Sequence, residues 1–255
     1  MNMNWTQVYA AIWRQQTSTL RPVKAIDPIT LDALIGMDRQ KAELVKNTER
    51  FLAHKPANNA LLWGARGTGK SSLVKAMLNA YKVEGLRLIE VFKGDLYNLP
   101  YIVDGIRGLP QRFIIYCDDF SFEANESSYM ALKTVLEGSI EQPPENVLLY
   151  ATSNRRHLLP EYMKDNLDSK LIDGELHYSD AVEEKIALSD RFGLWLSFYQ
   201  ANMDGYLDIV DSYFPDYRGD KNVLHEAAKM FAMSRASKSG RTAKQFYNYY
   251  AETGL

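Results

Sequence analysis

Residues 64–71 read Gly-Ala-Arg-Gly-Thr-Gly-Lys-Ser, matching every fixed position of the phosphate-cradling loop G-x-x-x-x-G-K-[ST]. Such a loop works only between a strand and a helix, so it constrains the fold on both sides. Upstream lies Ala60-Leu61-Leu62-Trp63, an apolar run of strand length. Downstream, Leu73, Val74, Ala76, Met77, Leu78 and Ala80 follow helical spacing with no Gly or Pro among them. A glycine-rich turn that happened to precede a helix would need both flanks to be coincidental.

The residue types explain the chemistry. Gly64, Gly67 and Gly69 can take positive φ and turn main-chain N–H groups inward. The loop, from Gly64, Ala65, Arg66, Gly67, Thr68 and Gly69 to Lys70, Ser71 and Ser72, with the following helix N-terminus, makes an anion nest. Lys70 is placed to reach the β and γ phosphates, and Ser71 to offer a hydroxyl to Mg²⁺.

Composition adds bounds rather than direction. A chain of 255 residues with 46% hydrophobic and 24% charged residues can bury a large core in two units. A net charge of −2 exerts no global pull on nucleic acid or anionic lipid. Cys117 is the one cysteine, so no internal disulfide framework forms. No apolar stretch approaches ~20 residues, which argues against a membrane helix. The N-terminus lacks the long uncharged core of an export signal, and the cytoplasm is the expected compartment.

The pattern along the chain predicts alternating strands and helices. Residues 4–16 suggest a short amphipathic helix carrying Trp5, Val8, Ile12 and Trp13 on one side. Helices are expected over 38–54, 97–107 and 126–139. Strands are expected over 86–92, 113–117 and 147–152, the last two as continuous apolar runs suited to burial on both faces. This alternation implies a parallel sheet with crossover helices. Beyond about residue 196 the sequence offers only helices, at 204–214, 221–235 and 240–251. The expected organisation is an N-terminal helical extension (1–26), an α/β nucleotide-binding domain (27–196) and an all-helical lid domain (197–255).

Two further clusters lie at strand ends. Asp118 and Asp119 close the strand 113–117, where ligands of parallel sheets bind. Asp118 is the candidate Mg²⁺ holder, through water, and Asp119 is placed to orient or deprotonate an attacking water. Asn154 ends the strand run 147–154 and can hydrogen-bond that water or the γ phosphate, unless it is simply a turn residue. Arg155-Arg156-His157 follows as a basic cluster: a solvated loop, or a contact with a neighbouring subunit or a nucleic acid.

In order, GARGTGKS, IIYCDDFSFE, YATSNRRHL, LSDRFGLWL and SGRTAKQF resemble the AAA+ ATPases over roughly residues 27–255, and most of all a bacterial group of ATP-binding proteins marked by DDxSFE and SNRRHL. The resemblance implies a P-loop NTPase: a three-layer αβα parallel sheet followed by a small helical lid. It implies ATP or ADP with Mg²⁺ as ligands, and a homo-oligomer acting on a protein or nucleic-acid client with no membrane role. Gly64–Ser71 resembles Walker A, Asp118 the Walker B aspartate, and Asn154 sensor 1. Arg191 resembles the finger that a neighbouring subunit's nucleotide receives. Arg241 resembles the sensor 2 arginine, and Leu34-Ile35-Gly36 the adenine-touching segment.

Bland readings stand beside two of these. Arg191 can pair with Asp190 or Glu184, and Arg241 shares a basic helix face with Lys238 and Lys244. The chain departs from the family where Asp119 replaces the usual Glu, one methylene shorter, with Glu123 as a candidate substitute. Slow hydrolysis is therefore expected. Two alternatives remain at this stage: a nucleotide-gated switch that hydrolyses little, and a small-molecule P-loop kinase.

Overall fold

The structure is a computed structural model that describes residues 3–120, 126–138, 140–154, 170–172, 175–177 and 190–250, with backbone only at 126–129, 170–172 and 175–177. Its centre is a seven-stranded sheet. In chain order the strands are β1 (Ala10–Arg14), β2 (Thr19–Pro22), β3 (Ala60–Gly64), β4 (Leu86–Glu90), β5 (Arg112–Cys117), β6 (Val147–Ser153) and β9 (Leu194–Phe198). Their spatial order is β2-β1-β4-β5-β6-β3-β9. Every neighbouring pair is parallel except β1 with β2. A separate hairpin joins β7 (Lys170–Ile172) to β8 (Glu175–His177).

Helices cover both faces of the sheet, as its run of parallel strands requires. Strand periodicity sorts the core into two layers. Ala60, Leu62, Ile114, Tyr116, Leu148 and Tyr150 pack with α1 (Asp38–Leu52) and α2 (Lys70–Tyr81). Leu61, Phe113, Ile115, Cys117, Leu149 and Ala151 face α3 (Leu99–Asp104) and Leu132 of α4 (Glu126–Glu137). Position parity along a strand therefore decides which helix layer a residue meets, and the same rule fixes the site below.

A third cluster is built by α5 (Met203–Tyr213), α6 (Lys221–Ser234) and α7 (Gly240–Tyr250) around Tyr206, Val210, Leu224, Ala228, Ala243 and Phe246. Each helix start has a side-chain cap: Asn202 accepts from the Gly205 N–H, Asp220 from the Asn222 N–H and Ser239 from the Thr242 N–H. The three-layer αβα sheet expected from the sequence is thus present, with three helices after it.

Two expectations need correction. The segment around 4–16 is not a helix. Ala10–Arg14 is a strand, paired with β4 from Ala10↔Leu88 to Ile12↔Glu90 and with β2 on its other side. Trp13 and Ala11 are buried in the α3 layer and Ala10 in the α2 layer. The open edge of β4 supplies main-chain partners that a short isolated helix lacks. The helix-only reading after residue 196 also starts too early. β9 runs to Phe198 and pairs residue by residue with β3, and the first helix after it begins at Met203. A smaller shift occurs at 93–107, where a 3-10 turn over Lys93–Asn98 precedes α3 and Pro100 sits in its first turn.

Candidate nucleotide site

The loop between β3 and α2 is held from several sides. Gly64 has φ +133, and a Cβ there would lie 1.9 Å from the carbonyl oxygen of Phe198. The next residue, Ala65, donates its N–H to that same oxygen at 3.0 Å. Gly67 has φ +77, and Gly69, the residue before α2, has φ +89. A Cβ on Gly69 would lie 2.5 Å from the end of the Met37 side chain. The glycines are needed for space as well as for φ. Thr68 closes the loop through a 2.8 Å bond from its hydroxyl to the Ala65 carbonyl, and Arg66 projects outward, exposed.

Lys70 lies under this loop, 6% exposed. Its ammonium donates to the Gly64 and Ala65 carbonyls at 2.8 and 2.7 Å and to Asn154 Oδ1 at 3.2 Å. Burial brings its pKa down to about 8, against the attraction of Asp118 and Asp119 and helped by the nearby Arg241 and Arg66 charges. One residue on, Ser71 donates its hydroxyl to Asp118 Oδ1 at 2.8 Å.

The acidic pair sits where parity and register put it. Cys117 pairs with Ala151, so Asp118 comes opposite Thr152, both on the α2 face. The Thr152 hydroxyl donates to Asp118 Oδ1 and accepts from the Asp119 N–H at 3.0 Å. The Thr152 carbonyl accepts from the Phe120 N–H at 2.6 Å. Asp119 has φ +52, a left-handed conformation that costs roughly 1–3 kcal/mol outside glycine unless surrounding bonds fix it. Its Oδ1 accepts from Asn154 Nδ2. Burial works to raise the Asp118 pKa, but the hydrogen bonds from Thr152 and Ser71 outweigh it and hold the carboxyl below the ordinary range.

Lys70, Ser71, Asp118, Asp119 and Asn154 thus form one bonded group at the C-terminal ends of three adjacent strands. Arg241 approaches from the three-helix unit. Its N–H points at the Gly67 carbonyl at 3.4 Å, and Ser239 and Arg241 side-chain atoms crowd the space a Gly67 Cβ would take. The Arg241 side chain itself is exposed. Ile35 and Gly36 precede Met37, whose side chain abuts Gly69; Gly36 has φ +76 and is exposed. Ser72 is half-buried in the first turn of α2. Arg191 is not joined to this group. It pairs through Nε with Glu137 at the end of α4, a partner that the sequence reading did not consider. Glu123, Glu184 and the cluster Arg155-Arg156-His157 lie outside the described residues.

Sequence reasoning missed two contributors. Thr152 was overlooked beside Asn154, although both follow the parity of Asp118. Phe198 was missed because nothing local announces that its carbonyl meets the loop.

Comparison with known proteins adds the family. The model of a family described as "Protein of unknown function (DUF815)" matches residues 6–253. The chain belongs to that family. No curated protein matches it. Among solved structures, a threonine-to-valine variant of Thermotoga maritima RuvB aligns with TM-score 0.53 and 13% identity, over 88% of this chain and 72% of that one. An arginine-to-alanine variant of the same protein aligns with TM-score 0.52 and 12% identity, over 89% and 73%. The T. maritima RuvB described as a Holliday junction branch migration motor aligns with TM-score 0.50 and 14% identity, over 88% and 72%. At such identities the likeness speaks for the fold: this DUF815 member has a RuvB-like P-loop fold.

Proposed function

We propose that the protein binds ATP with Mg²⁺ at the 64–72 loop and hydrolyses it slowly, using the cycle to change shape against a macromolecular client. The observation that carries this reading is the single bonded group Lys70–Ser71–Asp118–Asp119–Asn154 under a loop of positive-φ glycines. Its parts match phosphoryl transfer, where positioning and charge stabilisation do most of the work.

The donor set suits Mg²⁺. Ser71 and Asp118 are hard oxygen ligands 2.8 Å apart, and the described residues hold no cluster of three or more His, Cys, Asp or Glu. Mg²⁺ would therefore complete its shell with phosphate oxygens and water, as it ordinarily does. When bound, it neutralises charge on the β and γ oxygens.

The chain's own residues do the rest. Lys70 gives up two carbonyl bonds for phosphate oxygens, and the inward amides bind the remaining charge. Asp119, fixed by Asn154 and by its own N–H bond to Thr152, orients a water and takes its proton. Its short side chain reaches less far than a glutamate, which limits the rate. Arg241 enters from the helical unit to the γ phosphate, and closure of that unit over the loop couples nucleotide to shape. Arg191 serves a neighbouring protomer's nucleotide in a homo-oligomer, breaking its Glu137 pair to do so. Ile35-Gly36 faces the base. Client contacts fall on an unidentified protein or nucleic acid. Among the described residues no helix is long and apolar enough to cross a membrane.

A second reading has one observation in its favour: Asp119 Oδ1 is already engaged by Asn154. A protein that binds ATP tightly and releases no phosphate under any condition would be a nucleotide-gated switch. Calorimetry with Mg-ATP and a phosphate-release assay test the proposal together. Wild type is expected to bind and turn over, and Lys70→Ala to lose detectable binding. Equal affinity in Lys70→Ala would overturn the site.

A further inference from the structure

We propose that Thr152 is a positioning residue that holds the metal carboxylate and the water-orienting carboxylate in place at once, through one side chain. The inference rests on the ATP-hydrolysing reading for its kinetic consequences, but its geometry stands independently.

Three consecutive residues after β5 are tied to Thr152. Its hydroxyl hydrogen goes to Asp118 Oδ1, and a hydroxyl lone pair takes the Asp119 N–H at 3.0 Å. Its carbonyl takes the Phe120 N–H at 2.6 Å. A hydroxyl has one proton and two lone pairs, so this donor–acceptor assignment leaves one direction for each bond. Thr152 is 1% exposed and its backbone is locked in the ladder with Leu62 of β3. The hydroxyl therefore cannot turn toward bulk water.

The consequence is a turn that the strand would not take unaided. Without the N–H bond, the φ +52 of Asp119 rests only on the Phe120 N–H bond to the Thr152 carbonyl and on Asn154, and in extended form its side chain would pass to the opposite face of the sheet. With the bond, the Asp119 carboxylate stays beside Asn154 on the face that carries Lys70. The same hydroxyl leaves Asp118 with one oxygen shared between Ser71 and Thr152 and the other oxygen unclaimed by either. A carboxylate held in this way is aimed, and an unaimed one must be ordered at the moment of metal binding. Partners of this kind, one bond removed from the metal, commonly change metal affinity or activity by about 10- to 100-fold.

Thr152→Val keeps size and branching and removes both hydroxyl bonds; Thr152→Ser keeps the hydroxyl. Three readouts separate positioning from general damage. The Mg²⁺ concentration for half-maximal turnover is expected to rise about 10-fold or more in Thr152→Val, with kcat lowered by a similar factor. Nucleotide affinity in EDTA, which reports the loop alone, is expected to stay within about two-fold. Thr152→Ser is expected to recover most of both kinetic losses. Crystal structures of the two variants supply the fourth readout: the turn at 118–120 opens in the valine protein and persists in the serine protein. An unchanged turn in Thr152→Val would overturn the inference, as would a Thr152→Val enzyme with the wild-type Mg²⁺ midpoint. If wild type proves unable to hydrolyse ATP, the functional reading fails alone, and the crystallographic comparison still decides the role of Thr152.

Discussion

At Lys70, burial and the proposed phosphate contact act on one charge with opposite signs. Sheltered under the loop, its ammonium has lost water, and its pKa falls to about 8 from 10.5. Phosphate oxygens favour the charged form, so binding raises that pKa and takes up a proton once the free protein has lost it. The sign follows: affinity for ATP is complete below about pH 8 and falls as pH rises through that value, by up to about tenfold per unit. Titration calorimetry between pH 7 and 9.5 should show this slope, and Lys70→Arg, charged throughout, should flatten it. A flat wild-type profile would contradict the buried-lysine account. Arg191 poses the other residue-scale test. Arg191→Ala is expected to keep nucleotide binding and lose turnover, and mixing it with an Asp118→Asn protomer to restore part of the activity. Turnover of Arg191→Ala equal to wild type would return Arg191 to a structural partner of Glu137.

At the scale of elements, close approach dominates. β9 abuts the start of the loop so tightly that a methyl group on Gly64 meets the Phe198 carbonyl. Gly64→Ala should therefore displace β9 or the loop, costing roughly 2 kcal/mol or more, visible as a lower Tm together with weaker ATP binding. A Tm within a degree of wild type would show that β9 yields easily. A milder case lies under α1. The Tyr150 hydroxyl accepts from Asn47 Nδ2 at 3.0 Å and bonds the Thr48 hydroxyl at 2.9 Å. Both partners keep a second bond, Asn47 to the Asn58 carbonyl and Thr48 to the Leu44 carbonyl. Because neither is orphaned, Tyr150→Phe should cost only about 1 kcal/mol, seen as a shifted denaturant midpoint at constant m. A loss of 3 kcal/mol would mean that the hydroxyl satisfies more than these two groups.

For the whole molecule, the informative contact is between the three-helix unit and the loop. Ser239, Thr242 and Ser237 form a closed set of hydroxyl bonds at 3.0–3.2 Å at the start of α7, and this corner rests on Gly67. A unit that touches the loop through a 3.4 Å main-chain bond and, among the described residues, through no ion pair can change its seat when phosphates fill the loop. Distances between a label on α6 and one on α1 should differ between ADP and a non-hydrolysable ATP analogue. Identical distances in both states would remove the proposed coupling.

How much of this was legible in the sequence follows from range. The loop, its strand and its helix could be read directly, because the pattern is written in eight consecutive residues and both flanks carry their own periodicity. The buried strands expected at 113–117 and 147–152 were visible for the same reason, the second running one residue further in the structure, and Asp118 and Asn154 were singled out from their ends. What only the tertiary structure decided depends on neighbours distant in the chain. Ala10–Arg14 is a strand because β4 offers it an edge, and Leu194–Phe198 because β3 does. Thr152 stands opposite Asp118 through a register between strands more than thirty residues apart, and Arg191 meets Glu137, 54 residues away in the chain. Local sequence fixes what each segment can be; which hydrogen-bonding edges and charges it meets is settled only when the layers close.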